Sequence, residues 1–282
     1  MLACGLCFVG LTGIVRYIGT DLPAAQQAFL RFAFGVPLLV PALVVAARQG
    51  VPMAAWRLFA ARGVVHVIAV ILWFYAMARL PVAEVTAIGY LNPVVVMLGG
   101  VLLFGERLGW LRAVTVVVAL FGAVVVLRPG LREVTDGHLA QVAAACFFAG
   151  SYLFAKRLVG LVPAGLVVSV LSVTATLGLL PFALAVWQPV SGVQAGLLAG
   201  TAVLGTAAHY AMTRAFAAAP LAVTQPVTFL QIVWASLLGW LAFGEPVDPW
   251  VLAGAALIIG AVSVATLTEW RTSRAAALLP EA

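Results

Sequence analysis

The stretch Pro81–Glu106, PVAEVTAIGYLNPVVVMLGGVLLFGE, decides the architecture. Between its opening proline and its closing Phe104-Gly105-Glu106 it carries one charge, Glu84. Residues 82–104 are long enough to cross a bilayer, which takes about 20 apolar residues. The same frame returns as Pro220–Glu245, PLAVTQPVTFLQIVWASLLGWLAFGE. Pro220 stands for Pro81, and Phe243-Gly244-Glu245 for Phe104-Gly105-Glu106, both at an offset of 139. Cys7-Phe8 returns as Cys146-Phe147 at 139, and Gly122-Ala123-Val124 as Gly260-Ala261-Val262 at 138. A spanning segment therefore belongs to a unit that is present twice.

Working outward, the rest of the chain has the same character. Of 282 residues, 65% are hydrophobic and 9% charged, and the mean hydropathy is +1.16. Soluble domains average about 25% charged residues, so this chain lacks the polar surface to cover a core in water. A soluble enzyme, a disulfide scaffold and a disordered protein are excluded. Ten apolar segments can be drawn: 1–19, 24–47, 62–79, 82–104, 110–128, 138–155, 164–186, 194–213, 221–243 and 249–268. Segment 1–19 has no basic stretch before it and carries Arg16 where a cleavage region belongs, so it reads as a span and not a signal peptide. The fold expected is an all-α membrane protein of ten transmembrane helices. They form two five-helix repeats, 1–130 and 138–268, followed by a cytoplasmic tail, 269–282. Five is odd, so the second repeat enters the bilayer from the opposite side and is inverted. Inverted repeats are typical of secondary transporters that rock around a site at the repeat interface.

Orientation follows from the cations. With the N-terminus inside, Arg48, Arg57, Arg62, Arg107, Arg112, Lys156, Arg157, Arg214, Arg271 and Arg274 are cytoplasmic. Only Arg79, Arg128 and Arg132 lie opposite, and Arg16 and Arg31 fall within helices. Ten against three places both termini in the cytoplasm. The basic residues sit singly or in pairs at segment ends, where topology signals belong, so the net charge of +6 does not indicate nucleic acid. Cys4, Cys7 and Cys146 lie in apolar runs and read as core filler. The Cys4/Cys7 spacing has no second ligand pair, so no metal is expected.

The run Phe74-Tyr75-Ala76-Met77-Ala78-Arg79-Leu80-Pro81-Val82-Ala83-Glu84-Val85-Thr86-Ala87 resembles the first repeat of an EamA-type drug/metabolite transporter. The likeness continues through Asn92-Pro93, Leu103–Leu108 and Leu127-Arg128-Pro129-Gly130. The second half is similar to the family's other repeat, at His209-Tyr210, Arg214-Ala215-Phe216, Ala219-Pro220, Gln231, Trp234 and Gly239–Glu245. The resemblance implies a carrier of small organic metabolites, with amino acids or related compounds exported across the bacterial inner membrane by alternating access. The alternative it implies is an uptake carrier for a cofactor-like solute such as S-adenosylmethionine or riboflavin. A membrane-embedded enzyme is the weaker reading, since no Gly-x-Ser-x-Gly, His-Glu-x-x-His or paired-aspartate motif occurs. A scaffold is weaker too, because it needs no matched polar residues at midplane. The partners expected are a small-molecule substrate and the lipid bilayer, with no cofactor and no nucleic acid. Ten helices suffice for a functional monomer.

Asn92 and Gln231 are repeat mates, each ten residues from one end of its segment and near the bilayer midplane. Thr224, Thr228 and Gln231 follow helical spacing and form one polar stripe. Tyr90 and Phe229, also mates, set an aromatic beside each amide. These residues, with Trp73, Tyr75, Trp234 and Arg31, form the expected substrate site. The competing reading is that the amides glue helices together at about 1 kcal/mol each. Arg31 either binds a substrate carboxylate or phosphate, pairs with Glu84, or snorkels to the interface, with Gln27 one turn away adding to a polar face. Glu84 either couples protons or binds a cation, or else it is an interfacial glutamate that reaches water and pairs with Arg79. His66 and His209, expected near cytoplasmic helix ends, read as helix–helix hydrogen-bonding groups or as a proton relay. The Gly105-Glu106 and Gly244-Glu245 pairs read as turns. Ala235-xxx-Gly239 and Ala256-xxx-Gly260 read as close-packing faces.

Overall fold

The structure, a computed structural model, describes residues 2–49, 51–92, 94–96, 98–99, 109–128, 130–131, 133–218 and 230–277. Thr224, Thr228, Phe229 and the Gly105-Glu106 turn lie outside the described residues. The described residues are helical, with no strand. The helices are α1 (Leu2–Ile18), α2 (Ala24–Gln49), α3 (Met53–Met77), α4 (Val82–Gly89), α5 (Trp110–Leu127), α6 (Asp136–Val159), α7 (Ala164–Ala185), α8 (Gly192–Ala218), α9 (Gln231–Phe243) and α10 (Pro249–Ala277). Residues 92, 94–96 and 98–99 are helical as well. Four stretches, Met53–Met77, Asp136–Ala155, Gly165–Ala185 and Pro249–Thr268, are long and apolar enough to cross a membrane. Shorter apolar helices accompany them.

Local chemistry sets the boundaries. Pro52, Pro81 and Pro163 stand just before α3, α4 and α7, where a missing N–H costs nothing. Gly19 and Gly244 end α1 and α9 in the left-handed region, at φ 60° and 64°. Two boundaries depart from expectation. Helix α3 starts at Met53, not near residue 62, so most of the anticipated 48–61 loop is helix. The segment 82–104 is not one continuous helix: α4 ends at Gly89, and Tyr90 and Leu91 form a turn before helix resumes at Asn92.

Packing joins the two halves of the chain helix by helix. Helix α2 lies on α7, α4 on α9, and α5 on α10; α1 packs on α8 as α3 packs on α6. At the α5–α10 crossing, a Cβ on Gly122 would stand 2.8 Å from the carbonyl oxygen of Gly254, so these two glycines allow the contact. The expected close-packing glycines behave differently. A Cβ on Gly260 meets nothing, and one on Gly239 meets Glu245 Oε2 at 2.6 Å, so Gly239 makes room for a carboxylate and not for a neighbouring helix.

The outer surface is apolar, as lipid contact requires, with Val117, Phe121, Leu177, Phe182 and Val203 all exposed. Exposed Tyr17, Trp56, Trp110, Trp187 and Trp250 sit at or beside helix ends, the position of interfacial aromatic belts. Cys4 is buried, but Cys146 is exposed and is not core filler.

Candidate functional site

Polar side chains from both halves converge on a cavity of about 30 Å³. Helix α2 supplies Arg31, Phe32, Gly35 and Leu39, and α3 supplies Arg62; α7 brings Ser172, and α8 brings Thr206 and His209. The space takes a water or two but no organic solute.

Arg31 is 5% exposed, and its Nε is buried without a hydrogen-bond partner among the described residues. Its guanidinium lies over the Phe32 ring, 4.2 Å from the centroid, a cation–π contact. It is backed by Gly205 on α8, where a Cβ would come within 3.0 Å of Cζ. Arg62 is 6% exposed; its Nε donates to Ser151 Oγ at 3.3 Å and its Nη1 to the Val167 carbonyl at 3.0 Å. The Ser151 hydroxyl accepts from Arg62 and also lies 3.1 Å from His66 Nδ1, so it bridges the two side chains. His66 lies mid-helix because α3 begins early, and its ring meets Phe32 and Phe148 edge-on. Trp73 joins this wall against Phe8 and Phe148, and His209 meets Phe8 at 5.5 Å.

A second polar group sits away from the cavity. Glu84 is 7% exposed and His138, on the first turn of α6, 4% exposed; Glu84 Oε2 lies 2.9 Å from His138 Nε2. His138 Nδ1 accepts the Thr135 backbone N–H at 3.1 Å, closing a capping box. With Nδ1 occupied as an acceptor, Nε2 carries the proton and donates it to Glu84. Glu84 therefore pairs with neither expected arginine. Arg79 lies over Tyr75, with Cζ 3.6 Å from the ring centroid, and Arg31 faces the cavity. Gln27 does not extend the Arg31 face: its amide donates to the Gly19 and Leu22 carbonyls of the α1–α2 turn.

Of the other expected site residues, Asn92 donates to the Ala145 carbonyl on α6 at 3.2 Å. The Tyr90 hydroxyl is hydrogen-bonded to the backbone of Ile232 on α9. Gln231 opens α9 and packs against Gly5, while the Trp234 indole N–H is buried without a partner. None of these four lines the cavity. Trp73 approaches it through the aromatic wall, and Arg31 lines it directly.

Sequence reasoning missed His138 and Ser151, and read Glu245 only as part of a turn. Glu245 Oε1 takes the Arg16 Nε at 2.9 Å, and Oε2 accepts the Val82 N–H at the start of α4, also at 2.9 Å. The carboxylate thus does more than form a turn: it ties the ends of α1, α4 and α9 together. The signal for it was the proline at 81, which leaves the next N–H of α4 in need of a cap. Among the described residues no group of three His, Cys, Asp or Glu could hold a metal.

Comparison with known proteins gives these residues their context. The chain matches the EamA-like transporter family over residues 1–128 and again over 135–267. It is 29% identical to the riboflavin transporter of Vibrio cholerae, over 97% of this chain and 93% of that protein. It is 28% identical to the pseudopaline exporter CntI of Pseudomonas aeruginosa, over 93% of each. The S-adenosylmethionine uptake transporter of Rickettsia prowazekii is 25% identical over 87% of this chain and 84% of its own length. A solved protein structure shares the fold, with a TM-score of 0.57 at 20% identity over 95% of this chain and 98% of that one. The relatives are transporters and not enzymes, and a multi-pass helical chain with an apolar surface and a polar cavity between its halves belongs to the EamA-like transporter family.

Proposed function

We propose that the chain is a secondary carrier of small organic metabolites that works by alternating access, with its solute site at the interface of two inverted five-helix repeats, 1–130 and 138–268. One observation carries this reading. The polar residues around the cavity come from both halves: buried Arg31 and Arg62 from the first, with His66 bonded behind Arg62 through Ser151, and half-buried Ser172, Thr206 and His209 from the second. The helix pairing supports it, because the α1–α8 contact has its counterpart in α3–α6 and α2–α8 in α3–α7, as a pseudo-two-fold axis requires. The turn at Tyr90–Leu91, just before Asn92, supports a role for Asn92, since broken helices line transporter sites, and Gln231 is its repeat mate. Trp73, Tyr75, Tyr90 and Trp234 complete the proposed binding set, with Thr224, Thr228 and Phe229 contributing from outside the described residues. Glu84 is the proposed coupling group.

The carrier sits in the inner membrane as a functional monomer with both termini, and the 269–282 tail, in the cytoplasm. Export of amino acids or related compounds is the first reading, and an exporter among the relatives is consistent with it. Uptake of a cofactor-like solute is the second, favoured by the riboflavin and S-adenosylmethionine transporters among them. Proteoliposomes loaded in turn with labelled amino acids, riboflavin and S-adenosylmethionine test the proposal. Flux of an unmodified solute is expected, and chemical conversion or no flux across the panel would refute it.

A further inference from the structure

Two buried arginines share the cavity, and among the described residues no carboxylate lines it. Arg31 has no ion pair and no hydrogen bond among the described residues, only the Phe32 face. Arg62 spends Nε and Nη1 on Ser151 and Val167 and keeps Nη2 free of partners there. Guanidinium stays charged in proteins, so neither group relieves its burial by losing a proton. Burying an unpaired cation within a membrane bundle is strongly unfavourable. A snorkelling arginine avoids that cost by reaching the interface, but Arg31 is 5% exposed and held between Phe32 and Gly205. The acidic residues that make pairs are used elsewhere: Glu84 with His138, Glu245 with Arg16, and Asp248 with Arg128. Among the described residues no counter-charge reaches the two arginines, which leaves the place open to an anion from outside the chain. The planar fork suits a carboxylate or phosphate oxygen pair, and the hydroxyls of Ser172 and Thr206 stand beside it on the opposite half.

We propose that the cavity between Arg31 and Arg62 binds an anionic group, a carboxylate or a phosphate, of the transported solute. The word "transported" rests on the carrier reading above; the binding does not. Closing on an anion that both halves contact would neutralise the arginines and draw α2 and α3 toward α7 and α8, which couples occupancy to the rearrangement of the halves.

The test uses the full chain purified in detergent and matched probe pairs: succinate against succinamide, and inorganic phosphate against chloride at equal ionic strength. Succinate or phosphate is expected to bind and to raise the unfolding temperature, while succinamide and chloride do neither. Arg31→Met and Arg62→Met should each weaken that binding about tenfold or more, the scale of a charge-assisted hydrogen bond. Arg31→Lys, which keeps the charge and loses the fork, should fall between and guards against misfolding of the methionine variant. Equal binding of succinate and succinamide, or unchanged binding in Arg31→Met, would overturn the proposal. A lipid headgroup could offer the same chemistry, so nanodiscs of phosphatidylglycerol and phosphatidylcholine form another arm. Arginine-dependent stabilisation by phosphatidylglycerol without response to either soluble anion would overturn it in favour of a lipid. Flux of a neutral solute by a chain that ignores soluble anions would sink this inference and leave the carrier standing. Anion binding without flux of any solute would do the reverse.

Discussion

At the residue scale, two buried contacts make distinct predictions. Glu84→Gln keeps the shape of the His138 contact but removes the charge. If Glu84 couples protons, pH-gradient-driven flux should be lost while solute exchange persists, and near-normal driven flux would show that the carboxylate only anchors α6. His138→Ala should cost more stability, about 1–3 kcal/mol, because it leaves a buried carboxylate short of a donor and opens the capping box. Thermal unfolding of the two variants side by side measures the difference. Gly205→Ala places a methyl group against the Arg31 guanidinium, the far end of a flexible side chain. Unfolding temperature should change little while solute flux falls, and unchanged flux would separate Arg31 from transport. Arg31 was legible in the chain as a cation seven residues inside an apolar segment. His138 was not: a capping box normally shows Glu or Gln at the third helical position, and here histidine holds it.

At the element scale, composition reveals apolar runs but not where the backbone turns inside them. Tyr90 and Leu91 are as apolar as their neighbours, so the end of α4 was hidden within segment 82–104. The early start of α3 was hidden for the opposite reason, because Arg57 and Arg62 look like loop residues. Arg62 is accommodated inside the bundle by Ser151 and a carbonyl that lie about a hundred positions away. Long-range partners of this kind leave no local pattern. Asn92 opens the helical stretch after the turn, and Asn92→Leu separates its two readings. A site residue should lose at least about tenfold in solute affinity, whereas helix glue to Ala145 should cost about 1 kcal/mol of stability and no affinity. The α5–α10 crossing makes a purely structural prediction. Gly122→Val would drive a branched side chain into the Gly254 carbonyl and Ile258, both 2.8 Å from its Cβ. Backbone cannot move aside as a side-chain tip can, so a loss of about 1–3 kcal/mol is expected. Thermal unfolding with an unaltered ligand profile would confirm that this crossing lies outside the site.

At the scale of the whole molecule, polar links join the halves around the ends of α1, α4, α5 and α9. Arg16 meets Glu245, Arg128 meets Asp248, and the Gln26 amide exchanges two hydrogen bonds with the Gln188 backbone. Each link has one partner in the first half of the chain and one in the second. A carrier that exposes its site alternately must break them when that end opens. In the proposed orientation this end is external, which a membrane-impermeant maleimide checks in a background lacking Cys4, Cys7 and Cys146. A cysteine at Val51 should label only from the cytoplasm and one at Glu133 only from outside. A cysteine at Thr206, on the cavity wall, then reports opening. Glu245→Gln removes the charge that holds Arg16 and weakens the acceptor for the Val82 N–H, contacts together worth about 1–2 kcal/mol, so the open population should rise about 5- to 30-fold. External labelling at Thr206→Cys should accelerate accordingly and labelling from inside should slow, since one population grows at the expense of the other. Faster labelling from both sides would mean that Glu245→Gln loosens the bundle as a whole, and no change from either side would mean that these links do not hold the external end shut.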